Sequence, residues 1–211
     1  MSNGRLQRVN SLKHCKNLAE LVGIILGDGS IYVKEEVGAY QIRIAFSLKD
    51  EKEYRNYVNS LSYEIFGIKP GIKRHRNSAY YVCINSKQAV QQLRGIGLKE
   101  GNKKRNRSTI PDWVKKNKEY LKACTRGLID TDGSIYRLSS KDPKTLRISF
   151  KNRNTRLLND ARLSLESLGF HPSKIIEYNI FLTRKEDTKK YLNEIGFNNS
   201  KHIKKLKKLA P

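Results

Sequence analysis

Two aspartates, Asp28 and Asp132, stand at matching places in the chain, each directly after an apolar stretch and directly before Gly-Ser-Ile-Tyr. If each stretch is a helix, each carboxylate sits at its C-terminal end. That end is the negative pole of the helix dipole, and a carboxylate there costs ~0.3–1 kcal/mol. One such placement is ordinary turn chemistry, because Asp before Gly is common in turns. The same placement twice, 104 residues apart, asks for a cation. Paired carboxylates are hard oxygen donors suited to Mg²⁺, which uses one or two carboxylates together with substrate phosphate. Against a cationic groove such a site can hydrolyse a phosphodiester, since a metal can generate hydroxide and stabilise the leaving oxygen.

The charge balance supplies the groove. The 211 residues carry 43 Lys+Arg against 20 Asp+Glu, a formal charge of +23. Nucleic acid is the default partner of such an excess. Other classes recede. No stretch approaches the roughly 18–20 apolar residues of a membrane span, and Met1 to Asn10 has no apolar signal core. Cys15, Cys83 and Cys124 are odd in number and far apart, which argues against a disulfide framework or a cysteine zinc site. His14, His75, His171 and His202 are scattered, and none lies near either aspartate, so a histidine-metal nuclease is disfavoured. The expectation is a soluble intracellular protein of cytoplasm, nucleoid or organelle, with no membrane partner.

An internal repeat positions the two carboxylates. Residues 19–32 (AELVGIILGDGSIY) match residues 123–136 (ACTRGLIDTDGSIY) at eight of fourteen positions. The same offset sets Ile42 to Phe46 against Leu146 to Phe150, and looser matches follow at Phe66 to Pro70 with Leu168 to Pro172. Each half reads helix, two strands, helix, two strands, helix. In the first half these are a buried helix over 18–26, strands at 31–34 and 41–48, a helix to about 66 opened by Asp50 and Glu53 as a capping box, a hairpin over 72–85, and a helix capped by Ser86. In the second half they are a helix over 118–131, strands near 134–138 and 144–151, a helix over 155–168, strands near 174–183 and a helix over 185–195. Gly29 suits a left-handed turn at the end of the first helix. The fold class is α+β. It consists of two pseudo-symmetric αββαββα repeats, each an antiparallel four-stranded sheet with helices on one face. The domains run 1–98, a polar linker 99–110, 111–200, and a basic C-terminal helix or tail over 201–211, read as a solvated tail with phosphate contact as the alternative. Trp113 is expected to pack the start of the second repeat's first helix. Gly23, Gly27 and Gly127 with Thr131 put small residues four apart, so the two first helices can pair closely and bring Asp28 and Asp132 together.

The strands alternate, and the face turned from the helices is polar, basic and almost free of acids. In the first half it carries Tyr32, Lys34, Gln41, Arg43 and Ser47. The second hairpin adds Lys73, Arg74, Arg76, Tyr81 and Asn85. In the second half it carries Tyr136, Arg137, Arg147, Ser149, Lys151 and Lys174. These side-chain types reach base edges and phosphates in DNA grooves.

Leu21 to Gly29 (LVGIILGDG) and Thr125 to Gly133 (TRGLIDTDG) resemble the two copies of the LAGLIDADG motif, and the chain resembles a single-chain, two-repeat LAGLIDADG homing endonuclease of the intron-encoded kind. The resemblance covers about residues 18–200. It implies that the motif helices form the domain interface and that each saddle-shaped sheet lies in the major groove of one half-site. Asp28 and Asp132 would be the acidic metal ligands, with the carbonyls of Gly27 and Thr131 also facing the metals. Two or three Mg²⁺ ions would be held, with Mn²⁺ or Ca²⁺ able to substitute in binding. Both strands of a long, partly palindromic target would be cut across the minor groove, leaving short 3′ overhangs. Asp130 stands at a motif position that is not a ligand in the family and reads as a structural residue. Basic residues around the metals are expected to be Lys49 and Lys52 in one half and Arg153 and Arg156 in the other, matched by the offset. Lys99 or Lys103, with Lys201, would reach the site from the ends of the last helices. Leu48 opposite Asn152 makes the half-sites chemically unequal.

The resulting expectation is a monomer that acts as a pseudo-dimer on double-stranded DNA. The rival is a maturase that binds its host intron RNA on the same scaffold; two intact acidic ligands favour cleavage. A third reading, a catalytically dead DNA-binding regulator, sits poorly with two undamaged motifs. A free-standing intron-encoded protein is expected over an intein.

Overall fold

The computed structural model describes residues 9–47, 51–74, 79–138 and 145–209. Leu48, Lys49, Asp50, His75 and Arg76 lie outside those residues. The chain enters α1 (Lys16–Gly27) through Cys15, whose Sγ accepts the Leu18 N–H at 3.4 Å. There follow β1 (Gly29–Lys34), a single 3₁₀ turn, β2 (Ala39–Ser47), α2 (Lys52–Phe66), β3 (Gly71–Arg74), β4 (Ala79–Asn85) and α3 (Lys87–Gly95). Ser86 caps α3 by accepting the Ala89 N–H at 3.2 Å. The second repeat runs through α4 (Asp112–Lys115), α5 (Lys118–Asp132), β5 (Gly133–Arg137), β6 (Leu146–Lys151), α6 (Thr155–Ser167), β7 (Asn179–Leu182), α7 (Lys185–Glu194) and α8 (Ser200–Leu209). The first sheet is antiparallel in the order β1-β2-β4-β3.

The second sheet is shorter than expected. Among the described residues it has three strands, β5-β6-β7. The segment before β7 approaches it, with the Ser173 N–H donating to the Phe181 carbonyl at 2.9 Å and a lone bridge between Ile176 and Asn179. A full ladder does not form. The Phe181 N–H bonds the Ser173 hydroxyl instead of a backbone carbonyl, at 3.1 Å. Pro172 has no N–H to give, and Glu177 and Tyr178 both take positive φ in the turn.

One core joins the repeats. Leu21, Ile24 and Ile25 of α1 and Leu128 and Ile129 of α5 sit in the same cluster as Ile42, Ile44, Val82, Ile148 and Phe150 from the sheets. The two motif helices approach through their small residues. A Cβ on Gly23 would lie 2.1 Å from the Cys124 carbonyl oxygen, and one on Gly127 would lie 2.4 Å from the Glu20 carbonyl oxygen. Gly27 abuts Thr131, where a Cβ would meet Oγ1 at 2.0 Å. Gly29 is not left-handed as expected; it is needed because a Cβ there would strike the Ile25 backbone at 2.5 Å. Trp113 packs edge-on against Tyr120 at the start of α5 and donates its indole N–H to the Ile96 carbonyl at 3.0 Å.

The C-terminal helix is not a solvated tail. In α8, His202 is buried, Lys204 pairs with Glu53 of α2 at 2.8 Å, and Lys205 donates to Ser134 of β5 at 3.1 Å. Its last turn accepts the Arg137 guanidinium at the Leu209 carbonyl, 3.0 Å away. The helix thus spans both repeats.

The helix contact makes a direct prediction. Gly127→Ala should lower the unfolding free energy by about 1–3 kcal/mol, the usual cost of overpacking. Gly95→Ala, where an added Cβ meets nothing, should leave stability unchanged or slightly raised. Urea denaturation of both variants checks the contrast; equal losses would refute the close-approach account.

Candidate metal centre and nucleic-acid face

Asp28 is the C-cap of α1, its N–H bonded to the Ile24 carbonyl at 3.0 Å, and Asp132 is the last residue of α5. Because the helices are locked together above them, both carboxylates emerge where the two sheets begin. The Asp28 carbonyl accepts the Ala45 N–H of β2 at 3.2 Å, and the Asp132 carboxylate accepts the Asn152 amide at 2.8 Å. Asp28 opens to solvent on one side but is walled by protein on the others. Crowding by protein, followed by the charges of Asp132 and Glu51, pushes its carboxyl up to about 6. Burial also raises Asp132, opposed by Lys103, Asn152 and Lys201.

A third carboxylate belongs to the site. Glu51 precedes α2 and does not cap it. Its side chain accepts the Ser47 N–H at 2.7 Å, the Asn199 amide at 3.1 Å and the Lys201 ammonium at 3.1 Å. Burial alone would raise its pKa, but those three partners outweigh burial and hold it below the usual range. The capping box expected of Asp50 and Glu53 left Glu51 without a role. The signal that could have singled out Glu51 was an extra acid directly beside an otherwise acid-free basic surface.

Two lysines neutralise the cluster. Lys103 donates to the Gly27 carbonyl and, at 3.3 Å, to the Ile25 carbonyl at the end of α1. Its pKa is lowered because burial outweighs the attraction of Asp132 and Asp28. Lys201 lies on Glu51 and also acts on both aspartates. The basic residues expected from the offset fall elsewhere. Lys52, Arg153 and Arg156 are exposed around the starts of α2 and α6 and, among the described residues, make no ion pair with either aspartate. The reason is helical geometry: the residues that turn inward here are Glu51 and Asn154, and the next side chains point to solvent. Lys49 lies outside the described residues.

A buried polar network sets Lys201 in place. Asp130 is 0% exposed; its carboxylate accepts the Asn198 N–H at 2.9 Å, and its carbonyl accepts the Asn199 amide at 2.8 Å. Asn198 also donates to Glu20 at 2.6 Å, and Glu20 accepts the Tyr57 hydroxyl at 2.8 Å and the Arg126 guanidinium. Desolvation chiefly pushes the Asp130 carboxyl up to about 7, with the backbone bonds from Asn198 and Asn199 opposing. Asp130 thus sits wholly inside this polar network rather than on the open site.

The donor set fits a hard divalent ion. Asp28, Asp132 and the Gly27 carbonyl offer only oxygens, and the carbonyl already takes a cation in the Lys103 ammonium. Among the described residues no three His, Cys, Asp or Glu side chains converge into a closed cage. Remaining positions on such an ion would fall to water and phosphate. Thr131 turns its hydroxyl back to the Gly127 and Leu128 carbonyls, 2.9 Å each.

Register sorts the expected groove residues. Ser30, Tyr32 and Lys34 of β1 share the open face with Gln41, Arg43 and Ser47 of β2, Tyr81 and Asn85 of β4, and Lys73 of β3. Gln41 accepts Arg43 Nε at 2.7 Å, and Arg43 also lies over the Tyr32 ring at 5.1 Å. Tyr136, Arg147, Ser149 and Lys151 share the open face of the second sheet, where Arg147 rests 4.8 Å over Phe181 and donates to Thr183 at 3.1 Å. Two expected residues face the other way. Arg74 pairs with Tyr80, beside the core-facing Phe46, and Arg137 turns to the end of α8. Period-two alternation places each one residue out of phase with the open face. Lys174 is exposed on the arm before β7 and stands in no strand.

The two αβ repeats share a glycine-packed helix pair with an aspartate at the end of each helix. Residues 119–208 match the family model of the LAGLIDADG-like domain. The chain is similar to the homing endonuclease I-DmoI crystallised with DNA and Mn, with a TM-score of 0.59, 20% identity, and coverage of 86% of this chain and 96% of that one. It is also similar to the homing endonuclease I-WcaI bound to its DNA recognition sequence, with a TM-score of 0.58, 14% identity, and coverage of 85% and 80%. Among curated proteins, it is 28% identical over 203 residues to the replication factor C small subunit of Methanocaldococcus jannaschii. That match takes 93% of this chain but spans only 10% of the relative. The chain has the LAGLIDADG homing endonuclease fold, and its second half matches the model of the LAGLIDADG-like domain. Among the described residues no helix is long and apolar enough to cross a membrane.

The raised carboxyl of Asp130 makes a pH prediction. Its folded pKa of about 7 exceeds the ordinary value of 3.8, so between those values the folded state binds more protons than the unfolded chain. Its contribution to stability is full below about pH 4 and is lost as pH rises through about 7. Asp130→Asn, nearly isosteric, should therefore gain stability relative to wild type between pH 5 and pH 7.5. Urea denaturation at the two pH values measures it, and a pH-independent difference would refute the shift.

Proposed function

We propose that this chain is a site-specific double-strand DNA endonuclease that hydrolyses one phosphodiester on each strand of a long, partly palindromic target, leaving short 3′ overhangs. The observation that carries the reading is the meeting of Asp28 and Asp132 at the abutting ends of α1 and α5, ringed by Lys103 and Lys201, at the root of two sheets with basic open faces. A divalent ion bound there, Mg²⁺ by preference, supplies Lewis acidity to the scissile phosphate and lowers the pKa of a water. Asp28 and Asp132 would hold it, with the Gly27 and Thr131 carbonyls behind them. Lys103 and Lys201 would face the negative charge that develops on the phosphate.

The remaining residues bind and orient DNA. The Arg43–Gln41 pair, stiffened by Tyr32, presents a planar donor fork suited to guanine or to phosphate. Arg147 is held by Phe181 in the matching place of the second sheet. Lys52, Arg153 and Arg156, exposed around the first turns of α2 and α6, fit phosphate clamping at helix N-termini. Tyr81, Asn85, Ser149 and Lys151 extend the two reading faces. Among the described residues the sheets differ in strand number, and while Tyr32 and Arg43 recur as Tyr136 and Arg147, Gln41 and Ser47 are answered by Thr145 and Lys151, so the two half-sites should differ in sequence. The replication role named for the curated relative belongs to a far longer protein and is not carried over.

The test is Mg²⁺-dependent cleavage of a randomised duplex library with the ends sequenced. Asp28→Asn or Asp132→Asn should reduce double-strand cleavage by more than the roughly 10–100-fold that loss of an outer-shell partner costs, while DNA affinity stays near wild type. Affinity should fall steeply with salt while the cut position does not move. Cleavage of RNA alone, or intron binding without DNA cleavage, would replace this reading with the maturase one.

A further inference from the structure

The two lysines of the site are held differently, and the difference has a structural cause. The residue that turns inward before each repeat's middle helix reaches across to the segment that ends the other repeat. Asn154 donates to the carbonyls of Lys103 at 3.1 Å and Ser108 at 2.7 Å. Glu51 accepts from Asn199 and from Lys201 itself. The acid claims the Lys201 ammonium. Neutral Asn154 fixes only the backbone of Lys103 and leaves its ammonium to the end of α1.

There the Lys103 ammonium settles on the Gly27 and Ile25 carbonyls, close enough to Asp28 and Asp132 for both charges to act on it. The two aspartates and the negative end of α1 attract any cation that reaches them. We propose that Lys103 is a built-in counter-cation, holding the Gly27 carbonyl beside the two aspartates until a divalent ion enters and then leaving it. The proposal rests on the reading of Asp28, Asp132 and Gly27 as metal ligands. Metal entry and ammonium departure are then one coupled exchange. The lysine keeps the dicarboxylate site from repelling itself before DNA and metal arrive, and its swing brings a cation to the phosphate side. Lys201, tied to Glu51, makes no such exchange.

The test uses the DNA-free full chain. Mn²⁺ binding is followed by electron paramagnetic resonance at fixed salt, and melting is followed in chelator and with added Ca²⁺. Lys103→Met should bind Mn²⁺ about tenfold more tightly than wild type, within the usual range of a coupling between two ligands. It should melt lower than wild type in chelator and gain more on adding Ca²⁺. Lys103→Gln, which keeps a donor for the Gly27 carbonyl without the charge, should move the same way by less, and it decides the matter if the Met variant does not fold. Lys99→Met, which removes a linker charge bonded to the Asn106 carbonyl, should bind Mn²⁺ as wild type does. No gain in the Lys103 variants, including no detectable Mn²⁺ binding, would overturn the proposal, as would an equal gain in Lys99→Met. If adding Asp28→Asn to Lys103→Met leaves Mn²⁺ binding unchanged, the ligand assignment itself fails, and the proposal with it.

Discussion

The whole arrangement depends on how closely α1 and α5 approach. Glycine at 23, 27 and 127 lets one backbone rest against the other, with no room for a side chain at either of the two central contacts. This contact fuses the two repeats into one core and sets the distance between two helix ends. The candidate site is that distance made chemical, since each helix ends in an aspartate and neither aspartate could reach the other from a wider pair. Packing and chemistry are therefore not separable here. A change that loosens the helices would move the carboxylates even if it touched neither.

Bringing them together creates an electrostatic problem that the rest of the chain solves. Two helix ends and three carboxylates form a negative spot in a protein of formal charge +23. The excess charge does not neutralise it from a distance, because exposed charges are screened beyond roughly 8–10 Å. Neutralisation is local instead. Lys103 comes from the segment after the first repeat, its carbonyl bonded by Asn154 of the second half, and Lys201 comes from the segment after the second, where it and Asn199 bond Glu51 of the first half. Asp130 and Glu20, buried behind the site, serve this by pinning Asn198 and Asn199.

Pseudo-symmetry is strict at the helix pair and relaxes outward. The first sheet has four strands and the second three among the described residues. Glu51 in one half answers to Asn154 in the other, and a basic amphipathic helix, α8, braces β5. A single chain is free to make its halves differ in this way, whereas a symmetric pair of identical chains would carry each change twice. The same freedom lets the two open faces read different partners.

Sequence by itself determined the repeat, the helix pair, the two aspartates and most of the open-face residues. These follow from local periodicity and from identities at a fixed offset. The small residues of the motif could be read as a close contact because steric exclusion depends on residue type alone. Tertiary structure decided what no offset could reach. Of the basic residues expected around the carboxylates, tertiary structure put Lys103 and Lys201 there and left Lys52, Arg153 and Arg156 outside, because Asn154, Glu51 and Asp130 set the course of the segments that carry the two lysines. Glu51 became a site residue because its helix starts one position later than a capping box would place it. Arg74 and Arg137 left the reading face through a one-residue phase that only strand pairing fixes. Among the described residues no fourth strand forms in the second sheet, where the Ser173 hydroxyl takes a ladder bond, Pro172 lacks an N–H, and Glu177 and Tyr178 turn at positive φ. For the two lysines and Glu51 the deciding partner lies far along the chain, and its approach is a property of the packed core rather than of any local pattern.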